Sequence, residues 1–393
     1  MLKSNIVEFP AHLARPVFNR DRFKEARQQA CLTQTQLADL IHVSSETISN
    51  LESGQRQPGP ETLLQICKEL GFSPAYFSDS GEEGGNVESP IFFRSYASKI
   101  KRQNNCLDVW RKWAGRMMSY LGRYLNLPPV NLPSAVWNGE GESDNLMDRA
   151  EELAQQCRRL WGIGDGPIGN LTRLAESMGV CVVRLDLPNM EEVDGFACWQ
   201  DGRPMIFLIA KESASRERLN LAHELLHLIA HRQLPADVLE DDDAMEGIER
   251  EAFAFAGALL LPRNTYGREL FSFKIPHFVE QKRRWGVSIG SQGKRCLDLG
   301  IMDIDQFTQF RKNLSWNKYI KREPLDDTLP HEFPLMMSQA IELLSKHGVA
   351  SGWQIADKFG FNAEKMRILT NLNADLFRAP QESPTAIDIN LRA

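Results

Sequence analysis

The stretch LNLAHELLHLIAHR, Leu219 to Arg232, decides how the rest of the chain is read. Its apolar residues recur at helical spacing, and neither Gly nor Pro interrupts it. His223 and His227 stand four apart, one turn along the same helix face, so both imidazoles reach one metal ion. Glu224, beside the first of them, is placed to act as a general base on a water held at that ion. Zinc suits two neutral imidazoles and an oxygen ligand. A catalytic zinc takes three protein ligands, so a third donor must come from elsewhere. The next helical run, GIEREAFAFAGALLL from Gly247 to Leu261, offers Glu251, a carboxylate among apolar neighbours; Glu249 is the fallback. His231 reads as a structural or supporting imidazole, because each four-residue step drifts about 40° around the axis.

A chain of 393 residues suffices for two or three domains. A net charge of −6 argues against nucleic-acid binding by the whole surface, but it leaves room for one small reading module. Seven cysteines without a CxxC pair point to reduced thiols and not to a disulfide framework. The amino end lacks the apolar core of a signal peptide, and no run of eighteen apolar residues occurs, so a cytoplasmic protein without a membrane span is expected.

From Asn19 onward short helical patterns follow one another. Thr33 and Ser44 fit as N-caps, and Gly54 closes the helix Ser45 to Glu52. Short helices joined by a tight turn describe a helix-turn-helix. The wording LTQTQLADLIHVSSETISNLESGQRQPGPETLLQICKELG resembles the phage-repressor (Xre/Cro) class. That resemblance implies that the helix Ser45 to Glu52 enters the major groove of double-stranded DNA. Ser45, Glu46, Thr47 and Asn50 would then face bases or flanking phosphates, while Gln34 and Arg56 hold the backbone.

Ser78 to Pro90 reads as a linker. The region Lys99 to Arg123 mixes Lys101, Arg102, Arg111, Lys112 and Arg116 with Trp110 and Trp113, and is expected to be an amphipathic connector with a solvated cationic face. A second DNA or partner surface is the sharper reading of it. Pro128 to Asp144 is another bridge. Val180 to Leu185, Val193 to Trp199 and Pro204 to Ile209 read as strands, one of which could hold a peptide in extended form beside the metal.

WGIGDGPIGNLTRLAESMGVCVV, DGFACW, RERLNLAHELLHLIAH and EREAFAFAGALLLP together resemble the ImmA/IrrE family of zinc metallopeptidases, and RRWGVSIGSQGKRCLDLGIM is similar to that family's downstream region. The resemblance implies His223 and His227 as metal ligands, Glu224 as catalytic base and Glu251 as third ligand. Leu226 stands where members usually have Gly, and Phe253 where they have Asn. Tyr266 and His277 are candidates for oxyanion stabilisation.

The fold expected is α+β, mostly α. A helix-turn-helix domain spans 18–77, a linker with the basic helical connector 78–144, a zincin-like domain with a small sheet and the HExxH helix 145–320, helices 321–380, and a disordered tail 381–393. The function expected is a DNA-binding regulator with a zinc endopeptidase domain, a possible homodimer, that cleaves a repressor or other regulatory protein on a stress or mobile-element signal. Two alternatives stay open: a non-proteolytic transcription factor that senses through the peptidase-like domain, and an antitoxin-like partner binder.

Overall fold

The computed structural model describes residues 18–78, 101–134, 143–190, 192–211, 213–234 and 236–380. The expected linker Ser78 to Pro90 and the tail 381–393 lie almost wholly outside these residues.

The amino-terminal helices are α1 (Arg20–Gln29), α2 (Gln34–Leu40), α3 (Ser45–Ser53) and α4 (Pro60–Leu70). Thr33 caps α2 through a reciprocal box with Gln36, and the Ser44 side chain accepts from the Thr47 amide. Gly54, at φ 76°, ends α3 in the left-handed conformation. Phe23, Leu37, Ile48, Leu51 and Ile66 fill the space between the helices.

The next helix, α5 (Lys101–Gly122), corrects the expectation of a solvated connector. Leu107, Val109, Trp110, Trp113 and Met117 are completely buried, and Arg111 is only 4% exposed. Arg111 donates to Asp108 and, at 2.8 Å, to Gln200 Oε1; Arg116 reaches Glu25 at 2.8 Å. These guanidiniums are interior ion-pair partners, so Arg111 is not on a surface that meets DNA. Gly115 lets α5 approach the sheet, because a Cβ there would run into the Gln200 side chain.

Two helices, α6 (Ser143–Leu160) and α7 (Leu171–Ser177), lead to β1 (Cys181–Leu185), β2 (Gly195–Gln200) and β3 (Arg203–Ile209). The strand order is β1-β3-β2, with β1 parallel and β2 antiparallel to β3. Asp201 and Gly202, both at positive φ, make the two-residue turn between β2 and β3. Alternation sends Phe196, Cys198, Met205 and Phe207 toward α5, and Ala197, Trp199, Ile206 and Leu208 toward the other side. That other side is covered by α8 (Ala214–Ala230), which carries the HExxH residues.

After the short α9 (Ala236–Leu239) comes α10 (Asp242–Leu260), packed between α6 and α8. The acidic run before it is a helix start: Asp241 accepts from the Asp243 and Ala244 amides, where carboxylates complement the helix dipole. Helices α11 (Arg263–Glu269), α12 (Ile275–Trp285), α13 (Ile289–Asp298) and α14 (Ile304–Trp316) build the flank beside α10. The completely buried Lys282 ties α12 to Glu323 at 2.8 Å and Asp326 at 2.6 Å. Glu323 also accepts from the first amides of α13.

The last helices, α15 (Met336–Lys346), α16 (Gly352–Phe359) and α17 (Ala363–Thr370), fold back onto the amino-terminal helices. Phe72 and Phe361 form an antiparallel bridge, and Lys365 Nζ donates to Leu70 O at 2.7 Å and Gly71 O at 3.1 Å at the end of α4. One apolar cluster therefore joins the amino-terminal helices, α5, one sheet face and the last helices. A second joins the opposite sheet face to α6, α8, α10 and α13. Among the described residues no helix is long and apolar enough to cross a membrane, and all seven cysteines are free thiols.

Candidate metal centre and DNA-reading surface

Helix periodicity puts His223 and His227 on one face of α8, and packing against α10 buries both, leaving 5% and 3% exposed. Their Nε2 atoms lie 3.1 Å apart. The Glu249 carboxylate closes the group, with oxygens 3.4 Å from His223 Nε2 and 3.6 Å from His227 Nε2. Among the described residues, these three are the set of donor atoms close enough together to share an ion. A tetrahedral zinc with ligands at about 2.1 Å has edges of roughly 3.4 Å, so the three separations fit zinc. Burial pushes the Glu249 carboxyl up, but the two imidazoles outweigh it and hold the group well below the usual carboxylate range.

The carboxylate that joins the histidines is therefore Glu249 and not Glu251. Two residues apart on α10, the two side chains point about 200° apart around the axis, so one of them at most faces the histidine pair. Glu251 turns the other way. It forms an ion pair with Arg149 of α6 at 3.3 Å and lies 3.5 Å from His231 Nε2. The His231 Nδ1 atom in turn lies 2.8 Å from His227 Nδ1. Burial pushes His231 down to about 4, so this imidazole is neutral near pH 7.

Glu224, 5% exposed, sits where β2 begins. A Cβ at Gly195 would stand 2.8 Å from Phe207 O, so glycine there lets β2 and β3 come together, and it would meet Glu224 Cγ at an ordinary contact of 3.6 Å, which places that side chain against the start of β2. Phe253, one turn beyond Glu249, packs on His223 with ring centroids 4.3 Å apart. A cleft of about 1080 Å³ reaches this wall, lined by Asp194, Asn220 and Phe253 on the metal side and by Phe307, Arg311 and Tyr319 on the far side. Leu226 is completely buried in the α8 core and does not enter the cleft. Tyr266 is completely buried and bonded to Gln292, and His277 Nε2 meets Glu269 O, so these two candidates have other partners.

On the reading domain, Ser45, Glu46 and Arg56 are exposed, and Thr47 and Asn50 are half-buried. Glu46 and Asn50 lie on the side of α3 away from Ile48 and Leu51, and Ser45 starts the helix on its flank. Gln34 donates its amide to Glu52 at 2.7 Å, and Glu52 is gripped at both oxygens by Arg27. This pairing fixes the start of α2 against α3.

Comparison with known proteins agrees with this architecture. Residues 23–77 match the family model described as a helix-turn-helix, and residues 175–297 match the Peptidase M78 model, described as an IrrE N-terminal-like domain. The chain thus joins a helix-turn-helix domain to an IrrE N-terminal-like domain, a metallopeptidase-like unit. Over 80 residues it is 29% identical to the HTH-type transcriptional regulator ImmR of Bacillus subtilis (strain 168). That match covers 20% of this chain and 63% of the relative.

Proposed function

We propose that this chain is a DNA-binding regulator whose IrrE-like domain is a zinc endopeptidase that cuts a repressor or another regulatory protein. The observation that carries the reading is the set of separations among His223, His227 and Glu249, with Glu224 buried at the start of β2 beside them. His223, His227 and Glu249 would hold the metal. Zinc bound there supplies Lewis acidity, lowering the pKa of a water and polarising a carbonyl. Glu224 takes the proton from the attacking water and passes it to the leaving nitrogen. The start of β2 offers an extended backbone along which the peptide can lie, and the cleft beyond Phe253 gives room for it. The helix-turn-helix presents Ser45, Glu46, Thr47 and Asn50 to the major groove, with Arg56 toward the phosphates and Gln34 holding the start of α2 in place through Glu52.

The test is Glu224→Gln. It keeps the metal donors, so zinc content should stay near one per chain while cleavage of candidate repressors stops.

One observation favours a second reading, in which the peptidase-like domain senses and cuts nothing: the reading helices and the sheet share one apolar cluster through α5. Regulation in cells that survives Glu224→Gln would select this reading over proteolysis.

A further inference from the structure

A second cavity, about 400 Å³, opens off the cleft, and the two share Leu219, Phe253, Gly290, Ser291 and Lys294. Its walls are mainly apolar, formed by Met147, Leu219, Phe253, Ala254, Leu261 and Val287. Three of the charged groups around it are engaged with partners: Arg295 pairs with Glu151 at 2.5 Å, and Lys294 pairs with Asp298, while the fourth, Arg250, is exposed to solvent. Phe253 stands between this cavity and His223, and Leu219 lies one helical turn before His223. A group held at the metal centre is therefore about one side chain away from the cavity mouth.

The floor of the cavity is Gly257, in the interior of α10. Glycine is the poorest helix former after proline. Its backbone is ordinary helix, and a Cβ there would meet only Arg295 Cδ, at an unstrained 3.5 Å. Neither conformation nor crowding requires glycine at this position. What glycine does is leave the cavity open.

We propose that this cavity is the specificity subsite of the peptidase site, taking a large aliphatic or aromatic side chain of the substrate residue that flanks the scissile bond. The inference rests on the peptidase reading above. Its volume exceeds that of a leucine or phenylalanine side chain, and its walls reward apolar burial. An ionised side chain buried among these apolar walls loses its hydration, and the exposed Arg250 is screened by solvent and offsets little of that cost.

The test uses hydroxamic acids of N-acetylated alanine, leucine and aspartate, which differ only in the side chain beside the chelating group. Binding to the zinc-loaded full-length protein is followed by calorimetry, with the metal-free protein as control. The leucine compound should bind at least tenfold tighter than the alanine compound, and the aspartate compound more weakly than either. Gly257→Leu should shrink the leucine advantage to less than threefold while leaving the alanine affinity unchanged. Gly257→Ala, which adds a single Cβ in ordinary contact with Arg295 Cδ, should give an intermediate loss and covers the case in which the larger variant fails to fold. Equal affinities in the native protein, or a leucine advantage untouched by both variants, would overturn the subsite. Zinc-loaded protein that binds none of the three has no accessible coordination position, and that result removes the peptidase reading itself.

Discussion

His227 Nδ1 lies 2.8 Å from His231 Nδ1, and this contact sets the tautomer of the metal-facing imidazole. Two ring nitrogens at that distance need one proton between them. His231 is neutral, and its Nε2 faces Glu251, an acceptor. The proton arrangement that satisfies every partner has His231 donating from Nε2 to Glu251 and accepting at Nδ1 from His227. His227 is left with an unprotonated Nε2 aimed at His223 and Glu249. Glu251 therefore acts on the centre through His231, as second partners of metal-bound histidines commonly do.

His231→Phe keeps the ring and removes both nitrogens. Zinc affinity, measured by chelator competition, should fall about 10- to 100-fold. An unchanged affinity would show that the contact does not orient His227.

Gly195→Ala should leave zinc content intact but lower any peptidase turnover by roughly tenfold or more. The added methyl clashes with Phe207 O, so the start of β2 must shift where it touches Glu224, and a shift of an ångström beside a catalytic base is costly. Full activity in a folded, zinc-loaded variant would place Glu224 outside the chemistry.

Trp113→Ala should destabilise the chain by about 3–5 kcal/mol in urea unfolding. Trp113 is completely buried and packs edge-on to Phe72 of the reading region while meeting Phe361 of the last helices at 4.4 Å. The loss should fall on both regions together, seen as one transition shifted by near-UV and far-UV circular dichroism alike. A cost below about 1 kcal/mol would contradict the shared core.

Burial pushes Lys365 down from 10.5 to about 8. Between those values the unfolded chain carries a proton on this amine that the folded chain has released, so the contribution of Lys365 to stability rises with pH across the window. Below about pH 8 both states are protonated and the contribution is flat. The stability difference between the native chain and Lys365→Met, from urea melts at pH 7, 8 and 9.5, should therefore move in favour of the native chain by roughly 2 kcal/mol toward the alkaline end. A difference that does not change with pH would mean that the carbonyls of Leu70 and Gly71 hold the amine protonated.

The features legible in the sequence were those with short-range causes. Caps at Thr33 and Ser44, the left-handed Gly54, the strand patterns and the two histidines four apart each have their reason within a few residues. The parts misread depend on distant partners. Arg111 and Arg116 suggest a solvated face until Gln200 and Glu25, 89 and 91 residues away, supply interior partners. The last helices carry no chemical signature, because their role is a contact between residues 295 apart, Lys365 and Leu70. For the third carboxylate, burial was the misleading guide. Glu251 is the more enclosed of the pair because Arg149 and His231 enclose it, whereas Glu249 keeps 22% of its side chain exposed.

The central claim is that one zinc sits among His223, His227 and Glu249. Crystals of the full chain grown with zinc, with data collected on both sides of the zinc absorption edge, test it most directly. One anomalous peak should lie about 2.1 Å from the Nε2 atoms of both histidines and from a Glu249 oxygen, with Glu251 still against His231 and Arg149. A peak coordinated by Glu251, or no peak at the histidine pair, would contradict the account.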